Sequence, residues 1–179
     1  CNGISTTPIG GKPCKREKAL GHVWGRPKGP EHTIRRRVTM KILVFGKTGQ
    51  VARELQALAG ADLQIEALSR TEADLLDPAA CAARIAQTDA DAVINAAAYT
   101  AVDQAETETD TAQIINADAL GAMAKAAAER GLPFLHISTD YVFDGEGQGA
   151  RAPDDPTAPI NTYGRTKLAG EDNVRAAGG

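Results

Sequence analysis

Tyr163 and Lys167, four residues apart, are the pair in this chain best suited to chemistry. On a helix that spacing sets both side chains on one face. A phenol ordinarily titrates near pH ~10, too high to exchange protons readily at neutral pH. A neighbouring ammonium favours the phenolate and lowers that value, making the tyrosine a usable general acid or base. Tyr-x-x-x-Lys alone is commonplace. It gains weight from an upstream polar cluster, Ser138-Thr139-Asp140-Tyr141, where the Thr139 hydroxyl could hold a reacting oxygen in place. His136, just before the cluster, reads as a packed core histidine rather than a catalytic one.

A second constellation suits phosphate binding. Lys41 to Phe45 reads as a short buried strand, followed at once by Gly46, Gly49 and the small Ala52. A helical pattern then runs from about Gly49 to Leu58. Strand, glycine turn and helix in that order form the phosphate corner of a dinucleotide fold. Gly46 allows the turn, Gly49 lets the backbone approach a pyrophosphate, and the helix N-terminus presents free N–H groups. An ordinary βα turn is the competing reading, and the strand-before, helix-after context weighs against it.

Further elements must position these two constellations. Leu63–Ser69 predicts a second strand, and its end bears on cofactor choice. An acid there suits a ribose 2′-hydroxyl, whereas an arginine suits a 2′-phosphate. Arg70 therefore leans towards NADP(H), with a solvated surface arginine as the plain alternative. Asp77-Pro78 predicts a helix cap with proline in the first turn, and a helix to about Gln87. Ala92–Ala97 predicts a third strand, whose small residues Ala96, Ala97 and Ala98 let a nucleotide lie flat. Asp110–Arg130 predicts a long Ala-rich helix. For Asn116 within it, an exposed or locally bonded side chain is the plain reading, and spacing offers nothing against it. Leu132–Thr139 predicts a fourth strand, and a helix starting near Asn161 carries Tyr163 and Lys167. Four βα units in series predict an α/β, Rossmann-like, doubly wound parallel sheet.

Composition narrows the function classes. The chain has 179 residues, 42% apolar and 24% charged, and no apolar run approaches the roughly 20 residues of a membrane helix. Cys1, Cys14 and Cys81 lack paired or metal-like spacing, which points to a reducing, cytoplasmic compartment. The net charge of −3 is unevenly spread: residues 1–39 hold nine Lys/Arg against two Glu. That segment has four prolines and no sustained period. A nucleic-acid arm and a targeting peptide are the functional readings. The expected one is a disordered, non-native basic leader, with Met40 where a natural start would fall. Neither nucleic acid nor membrane is an expected partner.

Taken together, four blocks resemble the extended short-chain dehydrogenase/reductases, and within them the family of dTDP-4-dehydrorhamnose reductases. These are Met40–Ala52, Val93–Glu106, Ile137–Gly145 and Pro159–Glu171. The second and third are far more specific than the glycine turn. The resemblance runs from Met40 to the C-terminus and implies reduction of the 4-keto group of a dTDP-sugar to give dTDP-L-rhamnose. It implies that Tyr163, Lys167 and Thr139 form the catalytic set. Gly46, Lys47, Thr48, Gly49, Gln50 and Val51 would cradle the pyrophosphate of NADPH, with NADH accepted as well. Asp74 and Leu75 would contact the adenosine, and Ala96, Ala97, Ala98 and Tyr99 would line the cofactor. Asp140 and Tyr141 would approach the sugar. Homodimers linked by Mg2+ occur in the family, through parts expected to lie outside this chain, and no metal ligand is expected within it. The sheet is expected to be C-terminally truncated and the substrate domain absent, with the activity of such a fragment open. Two rivals stay open: another nucleotide-sugar epimerase or dehydratase, and a non-enzymatic NADP-binding module like the regulatory subunit of methionine adenosyltransferase. Dehydratases usually place an acidic pair after the strand-end threonine; here Asp140 is followed by Tyr141.

Overall fold

The computed structural model describes residues 39–147 and 149–178, all within one unit, 36–179. The expected basic leader lies outside the described residues, Thr39 excepted. Four strands form one parallel sheet: β1 (Met40–Phe45), β2 (Leu63–Leu68), β3 (Ala92–Asn95) and β4 (Phe134–His136), in the order β2-β1-β3-β4. The chain crosses from β1 outward to β2 through α1 (Gln50–Ala57). It then returns past β1 to β3 through α2 (Pro78–Gln87). Right-handed crossovers in opposite directions put α1 and α2 on opposite faces, as a doubly wound sheet requires. They also make the gap between the carboxyl ends of β1 and β3 the switch point where such sheets bind ligands.

Alternation along the strands decides which residues reach the core. Leu43, Phe45 and Val93 lie in one cluster with Cys81 and Ile85 of α2 and Met123 of α5 (Ala119–Glu129). All six are fully buried. Burial pushes the Cys81 thiol up to about 11, so it serves as an apolar filler rather than a nucleophile. Two short helices, α3 (Val102–Ala105) and α4 (Thr109–Gln113), lead into α5 through a π-helical turn, Ile114–Asp118. The helix predicted over residues 110–130 is therefore present but locally widened. The last helix, α6 (Thr162–Ala176), packs on α5 and on that π turn.

The Asp77 cap was expected from the sequence; that of Asn161 was not. Asp77 accepts from the Ala80 N–H with Pro78 in the first turn, and Asn161 accepts from the Gly164 N–H. Three strands are shorter than predicted, β2 by the single residue Ser69, and β3 and β4 by more, for identifiable reasons. β3 ends because the Asn95 carboxamide caps the Ala97 N–H at 3.1 Å, turning the chain out of the ladder. β4 is confined to Phe134–His136. Pro133 before it has no N–H, and the Ile137 carbonyl after it accepts from Lys167 instead of a strand. No helix among the described residues is long and apolar enough to cross a membrane.

Candidate active site

One cavity of about 660 Å³ opens at the switch point. Gly46 begins its floor. Its φ of +102° lies in the region that L side chains rarely adopt, and a Cβ there would come within 3.3 Å of the Ala96 backbone. Strand β1 can therefore turn sharply against β3 only with glycine at this position. Gly49 then starts α1 with no side chain capping the helix, so its first N–H groups stay available to an anion.

The predicted cofactor residues divide between cavity and surroundings. From the turn, Gly46, Lys47, Thr48, Gly49 and Val51 line the cavity, and Gln50 does not. From the end of β2 onward, Arg70, Asp74 and Leu75 line it, as do Ala96, Ala97 and Ala98 after β3. Tyr99 does not: its hydroxyl donates to Glu108 at 2.9 Å, and its backbone N–H and carbonyl bond Asn116. Arg70 pairs with Asp74 at 3.2 Å and is 71% exposed along its side chain. The Leu76 N–H and then Arg70 hold the Asp74 carboxyl below its ordinary value. Ser69, Thr71, Asn95, Thr100, Ile115, Ile137 and Ser138 also line the cavity, without having been singled out for the cofactor. Proximity in the fold brings them there, with no local sequence signal.

Tyr163 and Lys167 enter the same cavity from α6. Both are buried, Lys167 almost completely at 1% exposure. Lys167 Nζ lies 2.8 Å from His136 Nε2 and donates to the Ile137 carbonyl at 2.6 Å. Burial, opposed by the nearby Glu171 carboxylate, pulls Lys167 down to about 8. Burial first, and the Lys167 charge second, pull His136 down to about 3, so its ring is neutral. His136 is thus packed, as predicted, but packed directly on the candidate catalytic lysine.

Thr139 sits elsewhere. It lines a neighbouring cavity of about 380 Å³, and its hydroxyl accepts from the Tyr141 N–H at 3.3 Å, capping the 3-10 turn Asp140–Val142. Asp140 and Tyr141 line neither cavity. Tyr141 meets Tyr163 edge to face, with ring centroids 5.5 Å apart. Ser138 touches both cavities and bonds Glu171. Among the described residues, no cluster of three or more His, Cys, Asp or Glu could hold a metal ion.

The seat of α6 is polar and remote in sequence. Glu106 accepts from the Thr162 N–H at 2.6 Å and from its hydroxyl at 2.9 Å, which hold its carboxyl below the ordinary value. Asn116, fully buried in the π turn, donates to the Thr166 hydroxyl at 3.1 Å. Its side chain is therefore neither exposed nor locally bonded: its partners, Tyr99 and Thr166, lie 17 and 50 residues away.

Residues 40–179 match the family model described as the RmlD substrate binding domain. The chain is 46% identical over 140 residues to a dTDP-4-dehydrorhamnose reductase of Burkholderia thailandensis, covering 78% of this chain and 47% of that one. It is 49% identical over 136 residues to the reductase of the same description from Escherichia coli, covering 74% and 46%. A solved dTDP-4-dehydrorhamnose reductase from Bacillus anthracis, in complex with NADP, superimposes with a TM-score of 0.74 at 32% identity. That match covers 78% of this chain and 50% of that one. The chain spans about half the length of the curated relatives it matches.

Proposed function

We propose a function from one premise: the chain belongs to the RmlD substrate binding domain family. It carries the cofactor-binding and proton-donating half of an NADPH-dependent reductase that converts the 4-keto group of dTDP-4-dehydro-L-rhamnose to the alcohol of dTDP-L-rhamnose. The observation that carries this reading is the meeting of Tyr163 and Lys167 with the glycine turn in one cavity. Relatives described as dTDP-4-dehydrorhamnose reductases, one of them bound to NADP, support the substrate and the cofactor.

The residues present suit a dinucleotide. Gly46 removes the Cβ that would crowd Ala96, and the uncapped start of α1 offers N–H groups to a diphosphate. Gly46, Lys47, Thr48, Gly49, Gln50 and Val51 would hold the pyrophosphate. Asp74 and Leu75 would contact the adenosine, and Ala96, Ala97, Ala98 and Tyr99 the remainder. Reduced nicotinamide, when bound, supplies hydride to the sugar's C4. Tyr163 gives its phenolic proton to the C4 oxygen as negative charge develops there. Lys167, held by Ile137 O and His136, lies one helical turn from Tyr163 and would bind the ribose. In its ammonium form it eases loss of the tyrosine proton. Thr139 would hydrogen-bond the same oxygen once its hydroxyl proton leaves Asp140 Oδ1, now 3.2 Å away, and Asp140 and Tyr141 would approach the sugar.

The test joins this chain to the C-terminal half of the Burkholderia relative and follows NADPH oxidation with the 4-keto sugar nucleotide. Tyr163→Phe keeps the ring and its edge contact with Tyr141, so folding and NADPH affinity should persist. Turnover should fall by roughly 10²–10⁴. Near-normal turnover in the folded variant would remove Tyr163 from the reaction, whereas a parent fusion that binds NADPH without oxidising it would favour a cofactor-binding module without catalysis.

A further inference from the structure

Proton directions around Lys167 can be read from Asn95. The Ala97 backbone N–H can only donate, and it meets Asn95 Oδ1 at 3.1 Å. That identifies the oxygen end of the carboxamide, leaving Asn95 Nδ2 to face His136 Nδ1 at 3.2 Å. Nδ2 can only donate, so this bond is made in the tautomer whose Nδ1 carries no proton, while the Asn95 backbone oxygen favours a protonated ring and offers an acceptor in the other. In the first tautomer the neutral imidazole has its proton on Nε2, the nitrogen 2.8 Å from Lys167 Nζ. An N–H facing that nitrogen is satisfied only if the lysine has a lone pair, as a neutral amine. Every bond in the line from Ala97 to Ile137 is then made: Ala97 to Asn95, Asn95 to His136, His136 to Lys167, and Lys167 to Ile137 O.

We propose that Asn95 and His136 are positioning residues that couple protonation of Lys167 to the tautomer of His136. The lysine takes a proton from solvent only as the imidazole releases its Nε2 proton and gains one at Nδ1. The ring stays neutral and gives up the bond from Asn95. Asn95 therefore weakens the hold of Lys167 on its proton, although it sits on a different strand.

The surroundings agree. Burial holds His136 at about 3, keeping the ring neutral over the range in which a tautomer switch could operate. Burial also brings Lys167 to about 8, within reach of neutral pH. The titratable groups around the lysine are Glu171 and Tyr163 on its own helix and His136 on β4; Asn95 on β3 is uncharged. Glu171 favours the ammonium and so opposes the pair. The consequence for Tyr163 rests on the reductase reading above, since the lysine charge that tunes the phenol would then be set partly from β3. The tautomer coupling itself does not rest on that reading.

The test uses the 179-residue chain without cofactor, labelled with 15N in histidine and 13C at lysine Cε, and titrated from about pH 6 to about pH 11 by NMR. His136 should carry its proton on Nε2 above the Lys167 midpoint and on Nδ1 below it, with one shared midpoint near 8. A single tautomer throughout would overturn the coupling. Asn95→Leu removes the donor at similar volume and should raise the Lys167 midpoint by about one pH unit, the worth of one hydrogen bond. An unchanged or lower midpoint, as simple packing of Asn95 predicts, would also overturn it. Should Asn95→Leu not fold, Asn95→Asp keeps the acceptor for Ala97 and replaces the donor with an acceptor. His136 should then keep its proton on Nδ1 at every pH, and persistence of the Nε2 tautomer counts against the proposal. None of these readouts involves turnover, so their failure is distinguishable from that of the reductase reading.

Discussion

The glycine turn after β1 and the α6 side chains Tyr163 and Lys167 line one cavity, but the turn and the seat that holds α6 are made of different materials. The turn is backbone conformation: Gly46 at positive φ, then the exposed residues Lys47 to Val51, then a helix start with no side-chain cap. The seat is side-chain bonding, buried at Asn116, Thr162, Thr166 and Lys167 and open to solvent at Glu106. Glu106 holds Thr162, Asn116 holds Thr166, Asn173 donates to Ala117 O at 2.9 Å, and His136 meets Lys167. A surface that must receive a ligand leaves its donors free, and one that must fix a proton donor ties its donors down. Substitutions in the seat should therefore cost stability, and substitutions at the rim of the cofactor corner should cost ligand affinity alone.

The largest effect is expected at Gly170. A Cβ there would lie 2.1 Å from the Asn116 backbone oxygen and 3.0 Å from Leu120 Cδ2. Backbone on the π turn cannot yield as a flexible side chain would, so α6 must move away, loosening Asn116 from Thr166. Gly170→Ala should cost about 3 kcal/mol or more in urea unfolding, at the upper end of overpacking, despite the better helix propensity of alanine. A stability loss below about 0.5 kcal/mol would mean that α6 does not rest on the π turn as described.

The two regions also differ in how far they could be read in advance. The turn was legible because everything it needs is local: an apolar run, Gly46, Gly49 and a helical pattern within 18 residues. The same holds for the cap Asp77, which bonds three residues ahead. Tyr163 and Lys167 were legible through their helical spacing. Their support was not. Glu106 meets Thr162 across 56 residues, Asn116 meets Thr166 across 50, and His136 meets Lys167 across 31. A buried asparagine and a surface one look alike until the fold brings their partners together. The π turn was invisible for the same reason, since the bonds of Asn116 to Tyr99 lie outside its own helix. The placement of Thr139 beside the cavity of Tyr163, rather than in it, depends on the 3-10 turn that its hydroxyl caps.

A smaller effect separates the regions by pH. Lys167 titrates near 8 in the folded chain, against an ordinary 10.5. Between those values the unfolded chain binds the proton and the folded chain does not. Unfolding then takes up a proton, and this lysine's contribution to stability rises with pH across the window. Below about 8 both states are charged, and the cost of burying the ammonium is felt in full. Cys81, pushed from 9.0 to about 11, acts in the opposite sense between those values. The difference between wild type and Lys167→Met isolates the lysine: wild type should gain on the variant by on the order of 2 kcal/mol from pH 8 to pH 10.5. His136, lowered from 6.5 to about 3, gives the acid-side counterpart, with stability lost as pH falls through that interval. Parallel wild-type and Lys167→Met curves from 8 to 10.5 would show that Lys167 keeps its proton as freely as an exposed lysine does.

The smallest effect on folding is expected at Arg70, where the largest cofactor discrimination is predicted. Its guanidinium is largely exposed and pairs with Asp74 at 3.2 Å, an arrangement worth about 0–1 kcal/mol. Arg70→Ala should therefore leave the unfolding midpoint close to that of wild type. Binding is another matter. Arg70 lines the cavity at the end of β2, where a 2′-phosphate would lie in a dinucleotide bound across the switch point. To meet that phosphate it need only exchange the Asp74 carboxylate for a more highly charged anion. Losing such a charge-assisted contact should weaken NADPH by about 1.5–3 kcal/mol, roughly 10- to 150-fold, and leave NADH unchanged. Fluorescence titration of both cofactors against wild type and variant reads the two losses side by side. Equal weakening would place Arg70 outside the 2′-phosphate site and remove the basis for preferring NADPH from this residue. A large loss of stability would instead show that the rim of the corner is built like the seat of α6, erasing the contrast between the two regions.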